Sequence, residues 1–539
     1  MSAASPEAPP ESKAAASPRA GVRTPRIIGG RSVGVPATQV ARYAVQKLRT
    51  AQPAWAAVPL ADRLEVVARF RRLVAENPER LTAAVDSPVR RDEAETLSAE
   101  VLPLCEACRF LERNAEDLLE PKRRGNRGRP AWLYGVKLTD RRDPHGVVLI
   151  LGTWNYPLFL TGVQTLQALT AGNSVLIKPG RGSRAAAAAL RDLLLEAGLP
   201  AGVLAVLGEE PEAGEAAVAA GVNKVVLTGS ANTGRTVLAD CADSLTPAAM
   251  ELSGCDAAFV LEGADVKLAA KCLALSLTWN GSATCVAARR AFVHHSLLVE
   301  LRAELINRVS TVAPVACDRA AAVQAEELIE EALNLGATRL CGTIDHRPDP
   351  PRAMPIVLTD VPGRASIMKS DLFAPVLSLI SVRDEDEARA RDNCCPYALG
   401  ATVFGPPKAA RRLAQKLDAG CVVVNDFLIP TADPRVSFGG RGESGFGVTR
   451  GPLGLLEMTR HKAVLEQTGS WRPHLDPPPD DANPGDQAEF FKTYLRAAHA
   501  GGLGARLKHG WSFAKQCFAR NRGARSEPSP DATGPDNDD

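Results

Sequence analysis

Twelve cysteines are spread along the chain, and one of them, Cys285, has a setting suited to chemistry. The stretch "TWNGSATCVAARRAF" (278–292) places it among small and polar residues, behind a helical pattern and ahead of the β-prone run "RRAFVHH". A thiolate there is a candidate nucleophile. Most cysteines are buried filler, and Cys105, Cys241, Cys272, Cys341 and Cys421 read that way. Glu251, in "MELSG", lies between apolar residues, where desolvation raises a carboxyl pKa and suits it to general-base work. The plainer alternative is an ordinary strand-end carboxylate. Asn155, in "GTWNYP" (152–157), is a neutral amide donor beside an aromatic ring. The glycines of "TGSANTG" (228–234) let backbone amides approach a phosphate in front of a helix's positive end, although glycine turns join strands to helices widely. Lys178, in "IKPG", is placed to donate to a ribose or phosphate, or else is simply solvated. No metal is expected. "CEAC" (105–108) has ligand-like spacing but no second pair, and none of the eight histidines forms a spaced pair; "HH" at 294–295 reads as surface or turn.

The elements that must bring these residues together are legible as two grammars. A chain of 539 residues calls for two or three domains, and 45% hydrophobic with 23% charged residues describes a globular protein. A net charge of +2 gives no reason to expect nucleic acid. No apolar run of about 18 residues predicts a transmembrane helix, and the Ala-, Pro- and Ser-rich start lacks a signal core. Scattered free thiols fit a reducing compartment, so cytoplasm is expected. Residues 1–36 read as a disordered tail. Amphipathic helices follow from residue 37, up to the basic connector "PKRRGNRGRP". From "HGVVLILGTW" onward, near-continuous apolar runs alternate with helices, as in a parallel sheet covered on both faces. Residues 146–253 therefore read as a Rossmann-like nucleotide domain, binding its ligand at the carboxyl ends of the strands. A second α/β series runs through "AAFVL", "RRAFVHH", "APVLSLISV", "ALGATVFG" and "GCVVVND".

Together, "GTWNYPL", "AGNSVLIKP", "TGSANTG", "LTPAAMELSG", "NGSATC", "DLFAPV" and "SFGGRGESGFG" stand in an order that resembles the aldehyde dehydrogenase superfamily over roughly residues 38–465. "GTWNYP" and the short span from Cys285 to "DLFAPV" look most like its class 3 branch. The resemblance implies an α/β fold with a Rossmann-like NAD(P)-binding domain, a second α/β catalytic domain and a small β oligomerisation flap. It divides the chain into helices and cofactor domain (37–253, with 131–145 as flap arm), catalytic domain (254–424), a return to cofactor domain and flap (425–465), and an extension (466–539). It implies that Cys285 attacks an aldehyde, that the Asn155 amide and the Cys285 backbone N–H hold the oxyanion, and that Glu251 activates water against the thioester. Hydride passes to NAD or NADP. The cofactor set would be Thr153, Trp154, Lys178, Arg181, Gly229, Ser230, Ala231, Asn232, Thr233, Gly234, Leu252, Asp371 and Phe373. The partners implied are a small-molecule aldehyde and a second copy of the chain. The flap would comprise "WLYGVKLTDRRDP" and the stretch around "GGRGESGFG".

Four positions depart from the family pattern. Ala283 stands where many relatives have Gln, Ser253 where many have a first glycine in "ELGG", and Asp371 where Glu commonly binds the ribose. Arg181 stands where several NAD-preferring relatives carry an acid, and an arginine there either pairs with a 2′-phosphate or points to solvent. Two other functions compete: an acylating enzyme that hands the thioester to a carrier thiol, and a non-catalytic cofactor-binding scaffold. Glu251 weighs against the first, and Cys285, Asn155 and Glu251 together against the second. Beyond a linker from about 466, "EFFKTYLRAAHAGGLGARLKHGWSFAKQCFARNRGAR" mixes aromatics with Lys and Arg, ahead of a disordered acidic end. It reads as a weak membrane-surface contact, a helix packed on the enzyme, or a solvated basic tail.

Overall fold

The computed structural model describes residues 27–28, 31–32, 36–130, 133–469 and 485–523. Most of the expected N-terminal tail, much of the linker and the acidic end lie outside the described residues. The chain divides into two units, one formed by residues 1–115 and 145–458, the other by 116–144 and 459–539.

The first unit holds both sheets. In one, the strands Ala248–Leu252, Lys224–Gly229, Val147–Leu151, Ser174–Lys178 and Leu204–Val206 run parallel in that spatial order. Val147–Leu151 is the middle strand and is wholly buried, which explains its unbroken apolar run. Val147, Leu149 and Leu151 face a core with Leu176, Val225, Leu227 and Met250. The helix Phe159–Thr170, buried along its whole length, packs on Val147–Leu151 and Ser174–Lys178.

The second sheet has eight strands, six of them parallel: Arg352–Thr359, Val376–Val382, Ala288–His294, Asp256–Val260, Gly400–Phe404 and Cys421–Val424. Along Asp256–Val260, Ala257 and Phe259 enter one core while Ala258 and Val260 enter the other, the two-residue alternation of a strand sandwiched by helices. The step from Ala248–Leu252 to Asp256–Val260 is only the turn Ser253–Cys255, so the ends of the two sheets are joined beside Glu251.

The second unit contains a three-stranded antiparallel sheet in which Val136–Pro144 pairs with Lys122–Arg124 on one side and Thr459–Gln467 on the other. The expected flap arm is present, but its partner differs from the expectation. The "GGRGESGFG" stretch instead sends Gly445–Phe446 to the edge of the first sheet, antiparallel to Met250–Glu251, and Arg441–Gly442 to Tyr397–Ala398. Close approach decides this: a Cβ at Gly445 would stand 2.0 Å from the Met250 carbonyl oxygen, so only glycine brings the backbone there. The same unit carries the helices Gly485–His499 and Leu503–Gly523, packed as a hairpin through Phe490, Tyr494 and Phe513, with ring centroids 5.1 Å apart. The "HAGG" interruption is the turn between them.

Candidate active site

Cys285 follows a tight reversal after the helix Val266–Thr278. Asn280, Gly281 and Ser282 all have positive φ (50°, 58° and 61°). A Cβ at Gly281 would meet the Ala316 carbonyl oxygen at 2.4 Å, so the glycine is obligatory there. Two neighbours hold the reversal in place. Arg289, buried in the next strand, donates Nη1 to Ser282 Oγ (2.7 Å) and Ala374 O (2.8 Å), and Nη2 to Ser282 O (2.6 Å). From the N-terminal helices, Glu95 Oε1 accepts the Asn280 backbone N–H at 2.9 Å.

Asn155 comes from the loop after Val147–Leu151, the middle strand of the first sheet. Its Oδ1 accepts from Thr153 Oγ1 (2.6 Å) and the Tyr156 N–H (3.1 Å), which fixes which end of the amide is nitrogen. Nδ2 gives one hydrogen to the Ala283 carbonyl at 2.8 Å and keeps its second. The Asn155 carbonyl in turn accepts from Asn280 Nδ2 (3.0 Å) and Arg90 Nη2 (3.1 Å). Arg90 also pairs with Glu100 at 2.6 Å, and Glu100 Oε2 receives the Leu158 and Phe159 N–H groups at the start of the buried helix. Burial pushes the Glu100 carboxyl up to about 7, while Arg90 and the two amides pull the other way.

Glu251 is buried at the end of its strand. Thr449 Oγ1 donates to Oε2 at 2.5 Å, and Oε1 has no hydrogen-bond partner among the described residues. Burial first, and the Glu251 and Asp256 charges second, push the Cys285 thiol up to about 12, with Arg450 drawing it down. Cys285 is thus a protonated thiol at neutral pH until a base takes its proton.

Two cavities meet at these groups. One, of about 830 Å³, is lined by Thr153, Trp154, Asn155, Lys178, Gly229, Ser230, Asn232, Thr233, Leu252, Asp371 and Phe373, and ends at Glu251 and Cys285. The other, of about 60 Å³, is walled by Tyr156, Phe159, Trp279, Leu428, Ile429 and Phe438 and reaches the same Glu251 and Cys285 from another side. The large cavity suits a dinucleotide in its chemistry. The helix Ala231–Ser244 begins on it, its N-cap Ser230 accepting the Thr233 N–H and directing the positive helix end at the void. Lys178 is desolvated, which lowers its pKa, with Glu209, Glu210 and Glu212 countering. Trp154 and Phe373 meet edge to face at 6.2 Å, an apolar wall for a planar ring. Asp371 Oδ2 accepts from Ser253 Oγ at 2.5 Å, so the short carboxylate is held by the serine that departs from the family pattern.

Three residues of the expected cofactor set stand off the cavity wall. Ala231 is buried in the core of the first sheet. Gly234 sits where a Cβ would meet Leu252 Cδ1 at 2.8 Å, so it sets helix-to-strand spacing. Arg181 is 74% exposed and ion-paired with Asp318, itself on the cavity wall.

The chain matches the aldehyde dehydrogenase family over residues 33–464. It belongs to the aldehyde dehydrogenase family. Oxidation of an aldehyde to the acid, with NAD or NADP taking the hydride, is accordingly its reaction. Among relatives, a Mycolicibacterium smegmatis protein provisionally named succinate-semialdehyde dehydrogenase [NADP(+)] is 30% identical over 453 residues, covering 81% of this chain and 85% of its own. A "4,4'-diapolycopene aldehyde oxidase" of a Methylomonas species is 27% identical, covering 83% and 86%. The crystal structure of a Mycobacterium tuberculosis aldehyde dehydrogenase complexed with NAD+ superposes with a TM-score of 0.73 at 27% identity, covering 81% and 92%. Among the described residues no cluster of metal-ligating side chains occurs, and no helix is long and apolar enough to cross a membrane.

Sequence reasoning missed the supports of the aldehyde dehydrogenase site: Arg90, Glu95, Glu100, Asn280, Arg289 and Thr449. One signal was present. Glu100 lies on the stripe that continues as Leu104, Cys108 and Leu111, a carboxylate where the helical period calls for an apolar side chain.

Proposed function

We propose that Cys285, Asn155 and Glu251 carry the oxidation through a cysteine thioester, and the observation that carries this is the meeting of the two cavities at Cys285 and Glu251. The aromatic-walled cavity admits the aldehyde, and the large one holds the dinucleotide against Trp154, Lys178 and the Ala231–Ser244 helix end. When bound there, the nicotinamide supplies a hydride acceptor. Glu251, with its free buried oxygen, takes the proton from the Cys285 thiol, and the sulfur attacks the carbonyl carbon. The spare hydrogen of Asn155 Nδ2 and the Cys285 N–H hold the alkoxide in line for hydride loss. Glu251 then activates water against the thioester. An acyl transfer to a carrier thiol is not favoured, because that role for Glu251 would be idle. A burst of reduced cofactor on mixing with aldehyde, present in the wild type and absent in Cys285→Ala, tests the assignment. An undiminished burst in the variant overturns it.

Cofactor choice turns on Arg181. Released from Asp318, its guanidinium reaches the cavity rim as a partner for a 2′-phosphate, in keeping with the NADP(+) in the name of the M. smegmatis relative. Asp318→Asn, which keeps the cap on the helix Arg319–Asn334, is expected to raise the NADP-to-NAD ratio of kcat/KM. Arg181→Ala is expected to lower it, and equal ratios in all three proteins refute the idea.

The class 3 likeness also carries the dimer. The strand Thr459–Gln467 is an open edge exposing Val464 and Leu465, a surface for a second copy; a Leu465→Glu protein that remains a dimer by light scattering counts against this edge. On the hairpin, Leu503 (78% exposed), Leu507 (68%), Trp511 (68%) and Phe518 (75%) fall on one helical face, and residues 485–523 hold seven Lys and Arg against two Asp and Glu. An anionic membrane surface complements both features. Co-sedimentation with phosphatidylserine vesicles that survives deletion of residues 484–539, or self-association through this face, refutes that partner.

A further inference from the structure

Behind the site lies a pair of thiols that the oxidation does not use. Cys255 ends the turn from Glu251 into the second sheet, and its buried sulfur lies 3.8 Å from the Met368 carbonyl oxygen. Its thiol and that of Cys395 are in hydrogen-bond contact, and the Cys395 sulfur also accepts the Tyr397 backbone N–H. Arg290, fully buried, donates Nε and Nη2 to the Cys255 carbonyl (3.1 and 2.6 Å) and pairs with Asp392 at 2.8 Å. The hydrogen bond shared with Cys255 lowers the Cys395 thiol against its burial, with Arg290 assisting. Cys255 is pushed the opposite way by that hydrogen bond and by burial, so Cys395 is the sulfur favoured to lose its proton and Cys255 the one favoured to keep it. Cys395 also opens on a cavity of about 160 Å³ bordered by Met368, Lys369 and Arg391, room for a small oxidant. Cys394, on the same cavity, is engaged with the Ala390 carbonyl at 3.5 Å.

We propose that Cys255 and Cys395 form a peroxide-reactive dithiol that closes to an intrachain disulfide and thereby weakens cofactor binding. The Cys395 thiolate attacks one oxygen of hydrogen peroxide, the O–O bond breaks, and the departing hydroxide takes a proton to leave as water. Cys395 is then a sulfenic acid. The Cys255 sulfur attacks the Cys395 sulfur, the S–O bond breaks, and hydroxide leaves with the Cys255 proton as a second water. Two thiols lose two electrons and one peroxide gains them. An S–S bond of about 2.0 Å requires the two sulfurs to close in from hydrogen-bonding distance. Their segments are tightly set: a Cβ at Gly254 would stand 3.0 Å from the Cys285 carbonyl oxygen, and Tyr397, two residues from Cys395, lines the large cavity. The effect on binding rests on that cavity's reading as the cofactor site.

The test uses the full-length Cys285→Ser protein, so that the catalytic thiol does not respond. After stoichiometric hydrogen peroxide, peptide mapping without reduction is expected to show Cys255 joined to Cys395 with the mass of two hydrogens lost. Dithiothreitol should reverse the link, and Cys255→Ser should leave a Cys395 sulfenic acid that dimedone traps. The dissociation constant for NAD or NADP is expected to rise several-fold on oxidation and return on reduction. A Cys394–Cys395 link, or Cys395 sulfinic acid with no cross-link, overturns the dithiol. An unchanged dissociation constant in cross-linked protein overturns the regulatory half. Reduced protein that binds neither dinucleotide sinks the cavity's reading as the cofactor site, and with it the regulatory half, while the cross-link map still decides the dithiol.

Discussion

Replacing Glu251 with Gln separates the two proton transfers assigned to that carboxylate. With the Cys285 thiol pushed up to about 12, its thiolate is only ~10⁻⁴ to 10⁻⁵ of the population near neutrality, a cost of roughly 6 kcal/mol at about 1.36 kcal/mol per pH unit. A buried base beside the thiol offsets much of this in the wild type. In Glu251→Gln two effects oppose each other. Acylation loses its base but gains from the lost negative charge, which had helped to raise the thiol. Deacylation loses its base with no such gain. Steady-state turnover is therefore expected to fall by about 10²–10⁴, more than the acylation rate does. Stopped-flow absorbance should then show a burst near one reduced cofactor per active site, followed by a slow phase. Below the thiol pKa the burst rate in the variant should climb about tenfold per pH unit, because hydroxide has replaced the carboxylate as base. Burst and steady rates reduced by the same factor would refute the assignment of deacylation to Glu251. A turnover close to wild type would refute both roles.

Asn155→Ala removes one oxyanion donor and is expected to lower kcat by about 10²–10³, with KM little changed; a loss confined to KM counts against the oxyanion role. Glu100 gives a pH test. Its folded carboxyl lies at about 7, above the ordinary value of 4.5, so the folded state binds the proton more tightly. The stability this contributes is full below about pH 4.5 and is lost as pH rises through about 7, up to about 3 kcal/mol. Thermal melts of wild type minus Glu100→Gln should therefore shift in favour of the variant between pH 5 and 8 (roughly, from the same linkage); a flat difference refutes the burial effect. Gly281→Ala places a Cβ against the Ala316 carbonyl at positive φ and is expected to cost more than about 1 kcal/mol by denaturant unfolding, with kcat falling further than Tm alone explains.

Certain things were settled by residues alone. The short unbroken apolar run of Val147–Leu151 read as a strand buried on both faces, and the parallel sheet followed from its alternation with helices. The order of the motifs carried the resemblance to the aldehyde dehydrogenases, and it is that resemblance which put Cys285, Glu251 and Asn155 into one expected site. Composition marked the basic tail as an amphipathic stretch but left its form open, and the hairpin it makes depends on Phe490, Tyr494 and Phe513 meeting across the turn. Other features needed the folded chain. Arg181 and Asp318 are 137 residues apart, and nothing local says that one will neutralise the other. The partner of the flap arm, Thr459–Gln467, was chosen by register and by glycines that draw "GGRGESGFG" to another sheet. The hold of Arg90 and Glu100 on Asn155 and Leu158, and the thiol pair Cys255–Cys395, likewise join distant segments. Periodicity and propensity act over a few residues, whereas the pairing of buried charges and thiols is fixed only when packing brings distant segments to one place.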